Sequence, residues 1–284
     1  MVWRLLGVQP SRWHPAIYRL SVWQKRAFRA LRWRLDGHTY ASEKSADRLE
    51  HRVFKHTSKL IRRSAGADLA LQLGKVENLR VAIPAIDGML LRPGETFSFC
   101  KTVGRPDRAR GFVEGMELSR GTARPGVGGG LCQISNLLHW LVLHSPLTLI
   151  ERHHHSFDAF PDEGRVLPFG SGATVFFNYR DLRFRNDTTA TFQLRLWLTH
   201  KLLEGELRST TRPSVSYRVY EVNPRFLRRG ARLLRSNEIW REVRAKGCHS
   251  PALKNERLYS NLAEVKYTPG PGTIIEDQPR APGH

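Results

Sequence analysis

The sequence has few cysteines, no long apolar run and fewer acidic than basic residues. Its three cysteines, Cys100, Cys132 and Cys248, are widely spaced, and no two of them form a C-x-x-C pair. A disulfide framework, a zinc ribbon and a thioredoxin-like site are therefore not indicated. No stretch approaches the roughly 20 apolar residues that a membrane-spanning helix needs.

The N-terminus lacks the uninterrupted apolar segment of an export signal. Its first apolar residues are interrupted by Arg4 and followed by Arg12, which matches a cleavable signal poorly. We therefore expect a cytoplasmic protein. Residues 17–33 predict a basic helix that carries tryptophan, and packing on the domain is the simpler expectation for it. Peripheral contact with the inner face of the membrane through residues 1–38 is the alternative.

The shortage of acidic residues leaves a large positive charge. The chain has 46 Lys+Arg against 26 Asp+Glu, and a formal net charge of +20. Such an excess attracts polyanions, anionic lipids or anionic small molecules, although a solvated arginine-rich surface also explains it. No nucleic-acid recognition motif accompanies the charge, so nucleic acid is not an indicated partner.

Hydrophobic spacing predicts an α+β fold, with N-terminal helices followed by a mostly antiparallel sheet with one inserted helix. Helices are predicted over residues 17–33, 42–63 (with Ser42 as N-cap) and about 74–83, before Pro84. Strands are predicted on both sides of the Pro-Gly turn within 89–99, and over 147–152, 175–179, 192–198 and 215–219. Pro and Gly crowd residues 269–284, which we expect to be a disordered tail.

A glycine-rich loop before the inserted helix is the segment most suited to chemistry. Gly128, Gly129 and Gly130 precede apolar residues with helical spacing from 134 to 142. Cys132 is therefore expected at a helix N-terminus, where the free N–H groups and the helix dipole favour the nucleophilic thiolate. The loop would also expose N–H groups to an oxyanion. The predicted ligand-binding set is Gly128, Gly129, Gly130, Gln133 and Ser135.

A β-like segment after this helix leads into three consecutive histidines. In an extended chain His153 and His155 point to the same face as Glu151. A nucleophilic dyad of Cys132 with His155, or with His153, is then feasible, and Glu151 would orient the imidazole. Asp158 is a second candidate for that orienting role. The predicted catalytic residues are Cys132, His155 and Glu151.

Three alternatives to catalysis stay open for this segment. Glycines before a helix are commonly a tight connection, and a cysteine at such a turn is often inert. The histidines and the cysteine are also of the types that ligate zinc, but no metal is assigned to them and no cofactor is predicted. Phosphate binding by the loop is the third alternative, although the loop lacks the lysine-serine ending of a P-loop.

Several motifs, in order along the chain, resemble the VanW family. They are LRPGETFSF (91–99), KTVG (101–104), GGGLCQISN (128–136), ER with HS (151–152 and 155–156), PFGSGAT (168–174), RNDT (185–188) and, more weakly, RSNEI (235–239). The likeness covers roughly residues 78–245. We therefore divide the chain into a basic N-terminal extension (1–41), a VanW-like domain (42–268) and the tail (269–284).

The resemblance implies an accessory protein of glycopeptide resistance or cell-envelope maintenance, with no assigned biochemical activity. Among the histidines, His155 matches the family pattern best. One hypothesis is a thiol site of Cys132 and His155 that acts on an acyl or peptide substrate. The other is a non-catalytic module that binds an anionic ligand, such as a peptidoglycan precursor or a lipid headgroup. Whether the chain is an enzyme is left open.

Overall fold

The fold combines helices with extensive antiparallel sheet, which confirms the predicted α+β class. The computed structural model describes residues 15–61, 68–119, 122–154, 157–158, 166–247 and 251–277. The helices are α1 (Pro15–Leu35), α2 (Leu69–Ile86), α3 (Phe99–Val103) and α4 (Cys132–Leu143). Among the described residues, no helix is long and apolar enough to cross a membrane.

Two of the predicted helices are confirmed, and both are longer than predicted. The pattern over 17–33 corresponds to α1, and the pattern over 74–83 corresponds to α2. The side chain of Asp68 caps α2 by accepting hydrogen bonds from the amides of Ala70 and Leu71, which satisfies donors that the first helical turn leaves free. Pro84 lies within the last turn, and the helix continues to Ile86.

The helix predicted over residues 42–63 is wrong. Its second half is strand β1 (His51–Lys59), which pairs antiparallel with β10 (Leu202–Ser209). Side chains along β1 alternate between half-buried and exposed for most of its length, as expected for a strand with one covered face. Leu49, Val53 and Leu60 are also spaced as on one face of a helix, so their spacing alone could not distinguish a helix from a strand.

The first two sheets lie close to the helices. A sheet in the order β1-β10-β9-β2 includes β9 (Phe192–Leu198) and β2 (Leu90–Leu91), and a sheet in the order β3-β8-β6 contains β3 (Thr96–Ser98), β8 (Arg183–Arg185) and β6 (Thr148–Glu151). The strands predicted within 89–99, at 147–152 and at 192–198 are confirmed. Asn186, which follows β8, donates its side-chain amide to the carbonyl oxygens of Leu91 and Ala190.

The other two sheets are a hairpin that precedes α4 in the sequence and a larger sheet formed mostly by C-terminal strands. A hairpin joins β4 (Glu114–Ser119) to β5 (Thr122–Val127). The C-terminal sheet has the order β14-β11-β12-β13-β7, with β11 (Val215–Arg229), β12 (Arg232–Ala245), β13 (Lys254–Val265), β7 (Phe157–Asp158) and β14 (Ile275–Asp277). Its long central strands are antiparallel, whereas β7 and β14 add parallel edges. The strand predicted at 215–219 is confirmed as part of β11.

Two other predictions are corrected by the sheets. Residues 175–179 are not a strand, because the backbones of Phe176 and Arg180 bond to each other across a tight turn. The strand in this region is β8, which begins a few residues later. Residues 275–277 of the expected disordered tail form β14 on the edge of β11, whose backbone groups would otherwise lack partners. Residues 278–284 lie outside the described part of the chain.

The main core lies between α2, α4 and the sheet that contains β9 and β10. Helix α4 packs chiefly on β1 and β10, where the ring of Phe54 stacks on His144 with centroids 3.9 Å apart. Gly205 of β10 packs closely under this helix, since a Cβ there would lie 2.4 Å from the side chain of Leu137. This arrangement fixes the N-terminus of α4, and with it Cys132, at one end of the core.

Candidate functional site

The glycine loop and the start of α4 have the predicted local structure. The helix begins at Cys132 and ends at Leu143, which includes the whole of the helical spacing from 134 to 142. Gly128 and Gly130 have φ angles of 76° and 94°, which favour glycine strongly. The helix lies mainly on β1 and β10 rather than on β6, the strand that carries Glu151.

The glycines of this loop are explained by close contacts with the rest of the chain. A Cβ at Gly129 would overlap the carbonyl oxygen of Gly115, and a Cβ at Gly130 would overlap the side chain of Lys75. The carbonyl oxygen of Gly129 accepts a hydrogen bond of 2.9 Å from the side-chain amide of Asn78. The loop is thus clamped against β4 and α2, a structural reason for its glycines that requires no ligand.

The polar groups predicted to bind a ligand are bonded within the protein. The side-chain amide of Gln133 donates to Ser58 Oγ at 2.9 Å and to the carbonyl oxygen of Lys59 at 2.8 Å. The hydroxyl of Ser135 donates to the carbonyl oxygen of Ala173 at 2.6 Å. These contacts tie the start of α4 to β1 and to the segment before residue 175.

The first amides of α4 are also satisfied by the loop itself. The backbone N–H of Gln133 donates to the carbonyl oxygen of Gly130 at 2.9 Å, and the N–H of Ile134 donates to that of Leu131 at 3.0 Å. These short-range bonds use donors that an oxyanion would otherwise need. The geometry therefore favours a structural turn in which the amides of Gln133 and Ile134 are already bonded.

The thiol of Cys132 lies against the core. Its Sγ is 3.8 Å from the carbonyl oxygen of Val175, to which the thiol donates, and the side chain packs on the main hydrophobic cluster. Burial raises the pKa of Cys132 and outweighs the smaller stabilising contributions of nearby groups. Burial likewise raises the pKa of Cys100. Both shifts disfavour the thiolate at neutral pH.

The structure brings Glu151 into contact with one of the predicted histidines. Its carboxylate accepts a hydrogen bond of 2.9 Å from His153 Nε2 and a bidentate pair of 2.6 Å bonds from Arg29. Burial opposes ionisation of Glu151, but the bonds from His153 and Arg29 outweigh it and lower its pKa to about 2. His155 lies outside the described residues, so its predicted partnership with Cys132 stays a prediction.

Asp158, the second candidate for orienting a histidine, belongs to a different cluster. Its carboxylate accepts a hydrogen bond of 2.9 Å from the hydroxyl of Tyr267 and contacts the guanidinium of Arg235 at 3.3 Å. These partners lie in and beside the C-terminal sheet. Across the described ranges of the chain, no group of three His, Cys, Asp or Glu side chains is arranged to hold a metal ion.

Helix α1 contributes charged residues to the neighbourhood of Glu151. Besides the pair of Arg29 with Glu151, the carboxylate of Asp36 contacts the guanidinium of Arg183 at 2.8 Å. Arg183 is almost completely buried, with 1% of its surface exposed. Deleting the N-terminal extension would leave that buried charge and Glu151 without these partners. These contacts agree with the expectation that the basic helix packs on the domain.

Beside this cluster an open pocket of about 290 Å³ is lined by Arg152, His153, His154 and Arg180. The carbonyl oxygen of His153 accepts a bond of 2.7 Å from the amide of Thr174, so the pocket adjoins the segment that holds the Cys132 thiol. All four side chains carry nitrogen donors. Sequence reasoning considered the histidines but assigned no role to either arginine, although Arg152 belongs to the ER motif of the family resemblance.

The two arginines of the pocket have different surroundings. Arg152 donates from Nε to the carbonyl oxygen of Gly172 at 2.9 Å and from Nη2 to that of Gly170, and its guanidinium lies 3.9 Å from the ring centroid of Tyr259. Arg180 is exposed and has no ion pair among the residues that the structure describes. Arg152 is therefore a fixed wall of the pocket, whereas Arg180 keeps its donors available.

Histidine 154 is sensitive to the charge around it. Burial lowers the pKa of His154, and the nearby Arg152 lowers it further, with smaller contributions from His153 and Arg180. The neutral imidazole is consequently favoured at neutral pH while the pocket is empty of counter-charge. An anion placed among these side chains would oppose the effect of the arginines and favour protonation.

Comparisons with known proteins agree with the motifs. The family model described as "VanW like protein" matches residues 74–208. The chain is 31% identical over 234 residues to the "Vancomycin B-type resistance protein VanW" of Enterococcus faecalis (strain ATCC 700802 / V583), covering 82% of this chain and 85% of that protein. It is also 32% identical over 118 residues to the "Uncharacterized protein YoaR" of Bacillus subtilis (strain 168), covering 42% of this chain and 37% of that one.

No solved structure shows significant similarity to the chain. The identity to the enterococcal protein extends over most of both sequences, well beyond the region of the family model. The family resemblance seen in the motifs is thereby confirmed, and the chain belongs to the VanW family.

Proposed function

We propose that this VanW-family chain is an accessory protein of glycopeptide resistance or cell-envelope maintenance that works by binding an anionic ligand, such as a peptidoglycan precursor. The association with resistance is drawn from the name of the enterococcal relative. The binding site in this proposal is the pocket of Arg152, His153, His154 and Arg180. The observation that carries it is the exposed guanidinium of Arg180 at a pocket whose other walls are also nitrogen donors.

The chemistry of these side chains favours carboxylate or phosphate groups. A guanidinium presents a planar set of N–H donors that matches both groups, and charge-assisted bonds of this kind are among the strongest in proteins. Glu151, the acidic neighbour of the pocket, is neutralised by its bidentate pair with Arg29. The net charge of +20 also attracts anions to the whole surface.

Binding is supported better than thiol catalysis at the neighbouring Cys132. Burial raises the pKa of this thiol, and two amides at the helix start, those of Gln133 and Ile134, are bonded to the carbonyl oxygens of Gly130 and Leu131. A nucleophilic cysteine needs the opposite conditions, namely a depressed pKa and free donors. A catalytic dyad of Cys132 with His155 is therefore the alternative to ligand binding, and alkylation of Cys132 tests it.

The proposal is tested by calorimetric titration of the full chain with pyrophosphate and with a short peptide that ends in a free carboxylate. The same peptide with an amidated end is the ligand control. Arg180→Gln removes the exposed charge and should weaken binding about tenfold or more, since a bond to a charged group contributes about 1.5–3 kcal/mol. If Arg180→Gln loses affinity for pyrophosphate alone, the ligand is a phosphate. If it loses affinity for the peptide alone, the ligand is a carboxylate.

A matched control variant separates the pocket from the general positive charge. Arg52 is also an exposed arginine, and it lies near the start of β1, by the end of α4 that is remote from Cys132. Arg52→Gln should leave the affinity unchanged. Equal losses in the two variants, or no binding of either probe by the native chain, would contradict the proposal.

The pH dependence of binding gives a second test. The pKa of His154 is lowered in the free pocket, and a bound anion should raise it because the anion stabilises the imidazolium. Binding should therefore take up protons, and the affinity should increase as the pH falls through the range where His154 titrates. His154→Asn should reduce this pH dependence. A pH-independent affinity would remove His154 from the site.

A further inference from the structure

Helix α1 turns its polar face towards the protein. On this face Arg26 donates from Nε to the carbonyl oxygen of Phe177 at 3.1 Å, and the carbonyl oxygen of Arg26 accepts a bond of 3.2 Å from Asn178. One turn further on, Arg29 makes its bidentate pair with Glu151. The side of the helix that packs on the domain is thus held by hydrogen bonds and ion pairs.

The opposite side of α1 is apolar and is not covered by any residue that the structure describes. Residues 17, 20, 24, 28, 31 and 35 recur at intervals of three or four, which places them on one face of a helix. Gln24 is the one polar residue among them, and the apolar members are exposed: Ile17 45%, Leu20 55%, Phe28 68%, Leu31 52% and Leu35 73%. A contiguous apolar stripe of this kind marks an interaction surface rather than scattered surface hydrophobics.

Basic side chains border the stripe on both sides. At about 100° per residue, Lys25 and Arg32 project beside one edge and Arg34 near the other, while Arg19 lies further round, towards the polar face. All four are exposed. Within the described ranges, Arg19, Arg32 and Arg34 have no ion pair with a carboxylate. Trp23, which is 65% exposed, also lies near the edge of the stripe, at the position where an interfacial tryptophan would meet lipid headgroups.

We propose that the outward face of α1 docks on the surface of an anionic lipid bilayer. The apolar stripe would enter the boundary between headgroups and acyl chains, and the bordering cations would meet anionic headgroups. The charge decides between this occupant and a second copy of the chain, because two such faces together would bring their basic borders into mutual repulsion. The inference does not depend on the anion-binding function proposed above.

The ion pairs on the inner face give the docking a definite orientation. Since Arg29 is bonded to Glu151, and Glu151 to His153, the wall of the cationic pocket lies directly beneath the helix. A membrane-bound α1 would therefore hold the domain, and with it the pocket, next to the headgroup layer. The helix would lie along the surface, where its 21 residues extend for about 30 Å.

The test is co-sedimentation of the full chain with vesicles of phosphatidylcholine alone and of phosphatidylcholine mixed with phosphatidylglycerol. The native chain should bind the mixed vesicles and bind neutral ones much more weakly. The double variant Phe28→Ser with Leu31→Ser should lower the partition coefficient at least about tenfold, because it removes buried apolar area. Its thermal midpoint should match that of the native chain, since both side chains point outwards.

Two further variants make the result specific. Leu253 and Ile274 are 63% and 82% exposed and lie outside α1, so Leu253→Ser with Ile274→Ser should bind as the native chain does. Replacing Arg19, Arg32 and Arg34 by Gln should also lower binding to the mixed vesicles about tenfold or more, since each basic residue contributes about 1 kcal/mol near an anionic surface. This variant keeps the test valid if the apolar variant folds poorly.

Three outcomes would overturn the inference. They are the absence of binding to mixed vesicles, binding that persists in both α1 variants, and equal losses in the Leu253 and Ile274 control. Sedimentation velocity tests the remaining alternative, which is that two copies of the chain pair through this face. A native dimer that becomes monomeric on replacement of Phe28 and Leu31, without vesicle binding by the native chain, would assign the apolar face to a second copy.

Discussion

The loop before Cys132 and the adjoining cationic pocket differ in how their polar groups are used. At the loop, the side-chain amide of Gln133, the hydroxyl of Ser135 and the backbone amides of Gln133 and Ile134 bond within the protein. In the pocket, the guanidinium of Arg180 is exposed, and His154 is held in its neutral form by burial and by its basic neighbours. The polar groups at the glycine loop are therefore bonded within the protein, whereas the guanidinium of Arg180 in the pocket faces solvent.

This difference shows that glycine and cysteine next to a helix start do not by themselves indicate a ligand site. The same sequence pattern serves either a free anion-binding turn or a turn packed against other backbone, and only the surroundings decide. Here Gly115 and Lys75 pack directly against Gly129 and Gly130 of the loop.

The largest effect is expected for Gly129→Ala in the loop. The new Cβ would overlap the backbone of Gly115, which cannot move without disturbing the β4 hairpin, so the free energy of unfolding should fall by about 3 kcal/mol or more. Urea denaturation measures the change. Gly270→Ala is the control, because nothing lies within 4 Å of a Cβ at that position. A Gly129→Ala protein of native stability would mean that the loop is open rather than clamped.

A smaller loss is expected for Glu151→Gln, which connects α1 to the pocket. The substitution removes the partner of Arg29 and His153 and should cost on the order of 2 kcal/mol at neutral pH, after allowance for partial exposure of the site. Because the folded pKa of about 2 lies below the ordinary value of 4.5, this contribution is fully present above pH 4.5 and is lost as the pH falls towards 2.

Denaturation of the native chain and of Glu151→Gln at a series of pH values measures that contribution. The stability difference between them should stay constant near neutrality and shrink in acid. The neighbouring carboxyl of Asp181 titrates in both proteins, and its pKa is raised mainly by burial, so its own effect largely cancels. A difference that grows in acid would have the wrong sign for an ion-paired Glu151.

The reactivity of Cys132 tests the loop directly. Because burial raises the pKa of Cys132, its alkylation by iodoacetamide in the folded protein should be slow, with an inflection above that of a free thiol near pKa 8.5. Peptide mapping distinguishes it from the other cysteines, and the unfolded chain is the control. An inflection below the ordinary value that His155→Ala moves upwards would restore the thiol hypothesis and reverse the comparison between loop and pocket.

The smallest effect on stability is expected in the pocket itself. Arg180 is exposed, so Arg180→Gln should change the free energy of unfolding by less than about 0.5 kcal/mol while it weakens anion binding. Denaturation and calorimetry on the same preparation check both halves of this statement. A clear loss of stability would show that the guanidinium has a structural role instead of a ligand-facing one.

Elements with strong local periodicity could be predicted from the sequence. Alternation from Phe192 to Leu198 identified β9, and spacing of three and four residues after Cys132 identified α4. Strand β1 could not be identified in this way, because its partner β10 lies roughly 150 residues further along the chain. In such a segment, pairing across the sheet overrides the local signal.

The contacts of the candidate site were even harder to predict from local sequence patterns. Glu151 and His153 are close in sequence, and their contact followed from the expected strand geometry. Arg180 joins them only because a turn between Phe176 and Arg180 replaces the predicted strand and because the amide of Thr174 bonds to the carbonyl oxygen of His153. Contacts of this kind depend on loop conformations, for which hydrophobic periodicity carries no information.

The contacts of the Arg152 side chain determine how much of the protein is needed to keep the pocket intact. The family model ends at residue 208, but the guanidinium of Arg152 rests on Tyr259 and reaches Asn261 at 3.5 Å, and both residues belong to β13. A shortened protein that stops at residue 208 would keep every residue that lines the pocket and lose two supports of its fixed wall. Surveys of relatives, and truncations made for ligand screening, therefore have to include the C-terminal sheet.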